Sequence, residues 1–510
     1  PAFNGTLTAS DNSELELAGS AATTLTLAST TSFYSLTVNT AAGTTMNGVA
    51  HIRGTLNLQD GNFNCTGFPV VLPSTNTYTG RLGPVAPTAS YTGNMRIERY
   101  IPAGATNWRL LGSPIMSRKV NHWQDDFITA GYPGSQVPYF DSPTGSGILW
   151  PSIRWYDETN TGAGQNDGMQ GVASNNTLLT SGQGFAVWAG TGLNTTTAFT
   201  VDLENQAPVI ASSPISLPMT YTNTGNPGVD GWNLVSNPVP SPIAFDQIVR
   251  GADVADFVTY FNPATGNTAV YDISSGISVN GGTNTIQSMQ GFFLRATGVA
   301  ATATVDESAK VESNNGGFFG GSVNEPAAVH LSITSALNSF SDETIVVFSE
   351  GAPEINSDDV PKYILNHPQA PQIASLGTAG QLIAINAYGE YTNDISIPVS
   401  MNVGVGGQYT ITVSGLADQG LSCVRLEDLV TGITTPLYEG ATYTFAADTA
   451  ASLATARFML HASAPLNITA TPALCNSEAS GAATIELGSN TADVIWMNDM
   501  GDVIATQNAV

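Results

Sequence analysis

The chain has 510 residues, 42% of them hydrophobic and 11% charged, and its 40 Asp and Glu against 14 Lys and Arg leave a net charge of −26. That length implies several domains, the hydrophobic share excludes wholesale disorder, and the shortage of base disfavours nucleic-acid phosphates and anionic membrane surfaces as partners. Thr, Ser, Asn, Gly and Ala take the surface positions that Lys and Glu usually hold, and with 52 Gly and 28 Pro for turns the composition reads as all-β.

Residues 1–95 alternate apolar and polar side chains in short runs: Leu15-Glu16-Leu17, Leu25-Thr26-Leu27, Leu36-Thr37-Val38 and Leu56-Asn57-Leu58. Apolar pairs at such spacing fit β-solenoid-like coils, in which each coil adds a strand to a parallel sheet. An antiparallel sandwich is the alternative, because alternation does not set strand direction.

Residues 96–205 and 206–312 are read as two copies of one β-sandwich unit. Asn107-Trp108-Arg109-Leu110-Leu111-Gly112-Ser113-Pro114 returns as Gly231-Trp232-Asn233-Leu234-Val235-Ser236-Asn237-Pro238. Trp155-Tyr156-Asp157 returns as Tyr260-Phe261-Asn262, the Thr161-Gly162 turn as Thr265-Gly266, and Gln183-Gly184-Phe185 as Gln290-Gly291-Phe292. From the Pro to the aromatic pair is 41 residues in the first copy and 22 in the second, a 19-residue insertion spread around 131–151. Excursions of that kind are surface decoration or a binding loop. Tyr132, Tyr139, Phe140 and Trp150 of this insertion form the candidate contact loop, with packing onto their own domain as the alternative. A helical turn is expected after each Pro block, at 121–128 and at 243–249, where i, i+3, i+4 apolar spacing replaces alternation.

Residues 313–325 form a Gly/Asn-rich linker, and 326–465 alternate again as a further β-sandwich. Residues 466–510 start an Ig-like module whose strands, Ala483–Leu487 and Val494–Met497, lack closing partners. The polypeptide is therefore expected to continue. Pro1 is not an initiator, and no leader pattern precedes the first strand, so the chain is expected to be a processed or ordered part of something longer. No apolar run reaches bilayer-spanning length, and direct membrane insertion is not expected.

Motifs that carry chemistry are sparse. His51, His122, His330, His367 and His461 are scattered without an i, i+4 partner, and no H-E-x-x-H, G-x-S-x-G or phosphate-loop pattern occurs. Secreted glycosidases need only two placed acids, but the doublets Asp125-Asp126, Asp157-Glu158 and Asp358-Asp359 would point to opposite faces of a strand. Asn166-Asp167-Gly168 offers oxygen ligands for a structural calcium, against the plainer reading of a turn. No other cofactor is expected, and no catalytic residue is assigned. Cys65, Cys423 and Cys475 show no metal spacing and read as buried thiols, with a Cys423–Cys475 bridge as the alternative.

Gly93-Asn94-Met95-Arg96-Ile97-Glu98-Arg99-Tyr100-Ile101-Pro102, followed by the two Trp…Pro blocks, resembles the multidomain surface proteins that Bacteroidetes export through the type IX secretion system. Val424-Arg425-Leu426-Glu427-Asp428, Tyr443-Thr444-Phe445 and Arg457-Phe458-Met459-Leu460 extend the likeness through the sandwich. The tail from Pro472 resembles the Ig-like repeats of gliding and adhesion proteins. The C-terminal sorting domain of that group is not among these residues. The resemblance implies a secreted or outer-surface location, with the secretion machinery and outer-membrane or cell-surface components as partners. Glycans and self-association are further candidates. Asp448-Thr449-Ala450 fits the short pattern glycosylated in that lineage, which makes Thr449 a candidate O-glycosylation site. The expected function is a non-catalytic structural or adhesin-like protein whose stacked β modules form a stalk or filament. The alternative is the accessory, glycan-binding region of a secreted polysaccharide-degrading enzyme.

Overall fold

The computed structural model describes residues 2–3, 13–27, 30–160, 162, 164–193, 197–203, 213–313, 318, 328–348, 359–378, 380–388, 395–416, 423–463, 467–471, 482–486, 494–497 and 503–507. Those residues build an essentially all-β chain of several multi-stranded sheets, with short 3-10 turns as the helical elements among them. The chain divides into two compact units: Pro1–Glu325 with Tyr363–Pro368, and Pro326–Lys362 with Gln369–Val510.

In the first unit the N-terminal strands pair in parallel. Leu15 is in register with Leu36, Leu36 with Leu56 and Leu56 with Leu82, while Leu17, Val38 and Leu58 line up beside them. A second ladder sets Leu25 beside Met46 and Phe63 beside Tyr91, and a third sets Phe33 beside Ile52 and Val70 beside Met95. Strands in such ladders lie about 4.8 Å apart, so identical side chains stack. Inward, the stack is apolar and buried. Outward, it would set like charges directly against each other. Thr and Asn avoid that repulsion and link successive turns of chain instead: Asn47 donates to Thr26, Asn57 to Thr37 and Asn62 to Thr92 at 3.2–3.3 Å. The low charge content of this region follows from its register. Tight corners need glycine, and a Cβ on Gly61, whose φ is +73°, would fall 2.0 Å from the Thr40 carbonyl oxygen.

The strand Ala89–Ile101 runs unbroken through residue 95. It pairs in parallel with Thr55–Leu72 on one side and antiparallel with Phe199–Leu203 on the other. Through it the leucine stack and the first copy of the repeated module share one continuous core, from Leu17 to Phe185 and Val187. The second copy has its own core around Val235, Phe245, Val258 and Phe292.

The two copies have the same pairing order. Trp108–Leu111 pairs with Phe185–Trp188, then Ile153–Tyr156, then Met169–Gly171. Trp232–Ser236 pairs with Gly291–Arg295, then Phe257–Asn262, then Asn267–Asp272. The expected helical turns are short 3-10 turns, Val120–Trp123 and Phe245–Gln247. Contacts between the copies are reciprocal. Leu111 bridges to Gln290, and the matched Val235 bridges to Gln183. Gly112 N–H donates to the Met289 carbonyl at 3.0 Å, and the matched Ser236 N–H to the Gly182 carbonyl at 2.8 Å. Reciprocity of this kind defines a local twofold relation. Gly112 and Ser236 meet on it: a Cβ on Gly112 would lie 2.0 Å from Ser236 Oγ.

In the second unit an 11-stranded sheet carries alternating burial, for example along Val329–Ser335 and Gly407–Ser414. Strands far apart in that sheet, such as Val329–Ser335 and Ala456–Ser463, bury their apolar side chains in a common core. The sheet therefore folds over on itself. Further on, the two strands expected to lack partners each have one: Ala482–Glu486 pairs with Asn467–Thr471, and Val494–Met497 with Val503–Gln507.

Candidate functional site

Matched strand positions in the two repeated copies carry different side chains, and the difference opens a cavity. In the first copy Arg154 lies opposite Ala186 and Trp108 opposite Trp188. In the second, Thr259 lies opposite Phe293 and Trp232 opposite Arg295. Phe293 and Tyr363, with ring centroids 4.4 Å apart, fill the space over Trp232 in the second copy. Trp232 is fully buried there. Ala186 has no such bulk, and a cavity of about 290 Å³ lies against Trp108, Trp150, Arg154 and Ala186. That size is near the lower end of small-molecule sites, about 300 Å³.

The insertion supplies one wall. Its backbone closes on itself, with Trp150 N–H donating to the Phe140 carbonyl at 3.0 Å and Ser142 N–H to the Ile148 carbonyl at 3.2 Å. Trp150 is thereby held 5.4 Å from Trp108, 5.5 Å from Trp188 and 5.7 Å from Phe140, centroid to centroid. Arg154 lies over both Trp108 and Trp150, at 5.3 and 5.6 Å. Such cation–π contacts orient the guanidinium without neutralising it.

Electrostatically the cavity inverts the rest of the chain. Two arginines, Arg109 and Arg154, line it and, among the described residues, no Asp or Glu does. Arg109 is committed to the carbonyls of Thr106, Trp108 and Pro102 at 2.6–2.8 Å, and burial lowers its pKa to about 10. Arg154 donates only its Nε–H, to the Pro151 carbonyl at 3.1 Å, and makes no ion pair among the described residues. Burial lowers its pKa as well. Asn166, which donates its amide N–H to the Ile364 carbonyl at 2.7 Å, and Asn366, which donates to that of His367 at 3.2 Å, also line the cavity, and each keeps an amide oxygen able to accept.

The structure brings together two of the four aromatic residues singled out from the insertion. Trp150 and Phe140 join the tryptophan cluster. Tyr139 is 88% exposed, and Tyr132 is a core residue at 1% exposure, with burial pushing its hydroxyl up to about 12. Trp108, Arg154 and Ala186 were not legible as site residues from local patterning. Comparing the copies position by position is the signal that finds them, because Ala186 against Phe293 and Arg154 against Thr259 are changes of bulk and charge in otherwise matched blocks.

The acidic doublets have structural partners. Glu158 is buried and accepts from Thr222 N–H, Thr222 Oγ1 and Gly231 N–H at 2.6–3.0 Å, tying the first copy to the second. Asp157 caps Thr159 N–H at 3.1 Å. Asp126 accepts from Asp202 N–H at 3.0 Å, and Asp359 from Ala387 N–H at 2.8 Å; Asp358 lies outside the described residues. In the Asn166-Asp167-Gly168 turn, Asp167 accepts from Gly164 N–H at 2.9 Å. No group of three or more His, Cys, Asp and Glu side chains is placed to hold a metal among the described residues. Cys65 is a buried free thiol, with a pKa raised to about 11, above all by burial, and the Cys423–Cys475 pairing falls outside the described residues. Thr449 is exposed in a turn in which Asp448 accepts from Ala450 N–H at 2.9 Å. No helix among the described residues is long and apolar enough to cross a membrane.

No curated protein and no solved structure matches the chain. A family model matches residues 92–461, from the strand that joins the leucine stack to the first repeat through most of the second unit, and the chain belongs to that family, described as a domain of unknown function (DUF8693).

Proposed function

We propose that this chain is a non-catalytic, secreted or cell-surface protein of the adhesin-like kind. Stacked β modules supply length, and the repeated pair presents a contact surface. The observation that carries this reading is the in-register leucine ladder Leu15, Leu36, Leu56, Leu82. It supports β-solenoid coils, a device that extends a chain in one direction by repetition. In the same reading the duplicated copies and the second unit are sandwich modules, the last strands begin an Ig-like repeat, and export runs through the type IX system. The engagement of Glu158, Asp126 and Asp157 in backbone hydrogen bonds fits a scaffold more readily than a hydrolase. The tryptophan cavity favours one second reading, the glycan-binding accessory region of a polysaccharide-degrading enzyme.

Antibodies against residues 1–325 should label intact cells of the source organism or detect the protein in the medium. Disabling type IX export should retain it inside the cell. Detection only in the cytoplasm of unmodified cells would sink the proposal. Mass spectrometry of the same exported material tests Thr449, where a glycan mass is expected on the peptide.

A further inference from the structure

The geometry points to the cavity at Trp108, Trp150, Arg154 and Ala186 as a binding site for a carboxylated saccharide, a sugar ring of the uronic-acid type. The inference deepens the contact-surface reading and rests on it for biological purpose, although not for the chemistry of binding.

Three observations select this ligand class. The first is charge. The chain carries 40 acidic against 14 basic residues, yet among the described residues the cavity lining has two arginines and no carboxylate. Arg154 spends its Nε–H on the Pro151 carbonyl, which leaves the Nη1/Nη2 edge without a hydrogen-bond acceptor among the described residues. That edge matches a carboxylate in a bidentate, planar pairing. The second is shape. The indoles of Trp108 and Trp150, tilted by 53° with centroids 5.4 Å apart, give two aromatic faces beside the guanidinium. Pyranose rings present apolar C–H faces to such walls. The third is the remaining polarity. The amide oxygens of Asn166 and Asn366 accept from hydroxyls. The indole N–H groups of Trp108 and Trp150, which make no hydrogen bond among the described residues, donate to them.

The repeat contains its own control. In the second copy Phe293 stands where the first has Ala186, and Thr259 where the first has Arg154. With Tyr363 over Trp232, the rings of Phe293 and Tyr363 occupy the matching position in that copy. Placing the second copy's residues into the first should therefore close the site with a side chain that this strand arrangement already accommodates.

The test uses the full chain at about 0.15 M salt, where the long-range field of the acidic surface is screened. Binding is read by calorimetry and by the fluorescence of the cavity tryptophans. The probes are trigalacturonate, free galacturonate, the neutral galactose trisaccharide and benzoate. Trigalacturonate should bind saturably and at least tenfold more tightly than the neutral trisaccharide. R154Q should erase that preference while leaving weak neutral binding. A186F should abolish binding of both with its melting temperature kept. W150A should weaken both sugars alike. Free galacturonate matching the trimer marks a single sugar acid as the ligand, and trimer-only binding marks an acidic polysaccharide; each supports the proposal. The proposal is overturned by no saturable binding of either acidic sugar, by equal affinity for acidic and neutral sugars, or by benzoate binding more tightly than galacturonate. Full binding by R154Q together with A186F would do the same. None of these results alters the cell-surface labelling outcome, so the two readings fail separately.

Discussion

Burial, reinforced by the neighbouring Asp202 carboxylate and by Asp125, raises the Asp126 carboxyl to about 8 even though Asp202 N–H donates to it and Arg96 is near. At neutral pH the folded chain therefore holds a proton on Asp126 that the unfolded chain releases. Because the folded pKa lies above the unfolded value of 3.8, the contribution to stability is complete below about pH 4. It is lost as pH rises through about 8. Asp126→Asn keeps an oxygen for the Asp202 N–H and removes the charge. Its melting temperature should fall less than the parent's between about pH 5 and about pH 9, and parallel profiles would refute the assignment. At this scale the sequence was legible in part. The Asp125-Asp126 doublet stands out in the linear chain, but it lies in a turn and not on a strand, so the strand argument does not reach it. That Asp126 is half-buried beside Asp202 depends on a partner 76 residues away, and no local pattern encodes that distance.

At the scale of elements, the repeated copies show what recurrence of sequence can and cannot specify. The recurring blocks matched Trp108–Leu111 to Trp232–Ser236, and the structure makes both strands with the same neighbours in order. The reciprocal bridges Leu111 to Gln290 and Val235 to Gln183 join different copies, and register between distant strands is set by packing. Gly112 and Ser236 mark where the symmetry has to break. Two side chains cannot occupy a point where a Cβ on Gly112 would sit 2.0 Å from Ser236 Oγ and 2.2 Å from its Cβ. Gly112→Ala should destabilise the first unit by about 1–3 kcal/mol, the usual cost of overpacking. Ser236→Gly in the same chain should recover most of that loss, since it removes the obstructing atoms while giving up the Ser236 hydroxyl bond to the Gln183 carbonyl. Denaturant midpoints of the single and double variants measure the coupling, and simple additivity would show that the two residues do not meet. The same asymmetry between copies produced the cavity. The insertion drew attention to Trp150, but the residue that creates the space, Ala186, is small and apolar and lies within a repeated block. Only its replacement by Phe293 in the sister copy gives it meaning.

At the scale of the whole molecule, the charge deficit and the leucine ladder are two faces of one constraint. Parallel strands in register repeat each side chain at strand spacing, so the inside must be apolar and the outside uncharged. Composition therefore announced the class of fold before any strand was placed. Composition could not announce how far each core extends. The sequence suggested a division at residue 95, whereas the strand Ala89–Ile101 carries one core from Leu17 and Leu36 through Ile97 to Phe185 and Val187. Tyr363–Pro368, in the middle of the later sandwich segment, belongs to the first unit. Nothing in its local pattern shows that, because Tyr363 is placed by the rings of Trp232 and Phe293. A continuous core predicts that the leucine stack and the first copy open together. Leu36→Ala removes a fully buried side chain and should cost about 2–5 kcal/mol, transfer and cavity terms included. If the core is cooperative, hydrogen exchange in Leu36→Ala should accelerate not only in Ser35–Thr40 but also in Ala89–Ile101 and Phe185–Trp188. The strand Phe257–Asn262, whose Val258 and Tyr260 lie in the separate core of the second copy, should change less. Acceleration confined to the strands next to Leu36 would mean that the ladder opens independently, and the stack and the repeat would then be separate folding units sharing only a strand.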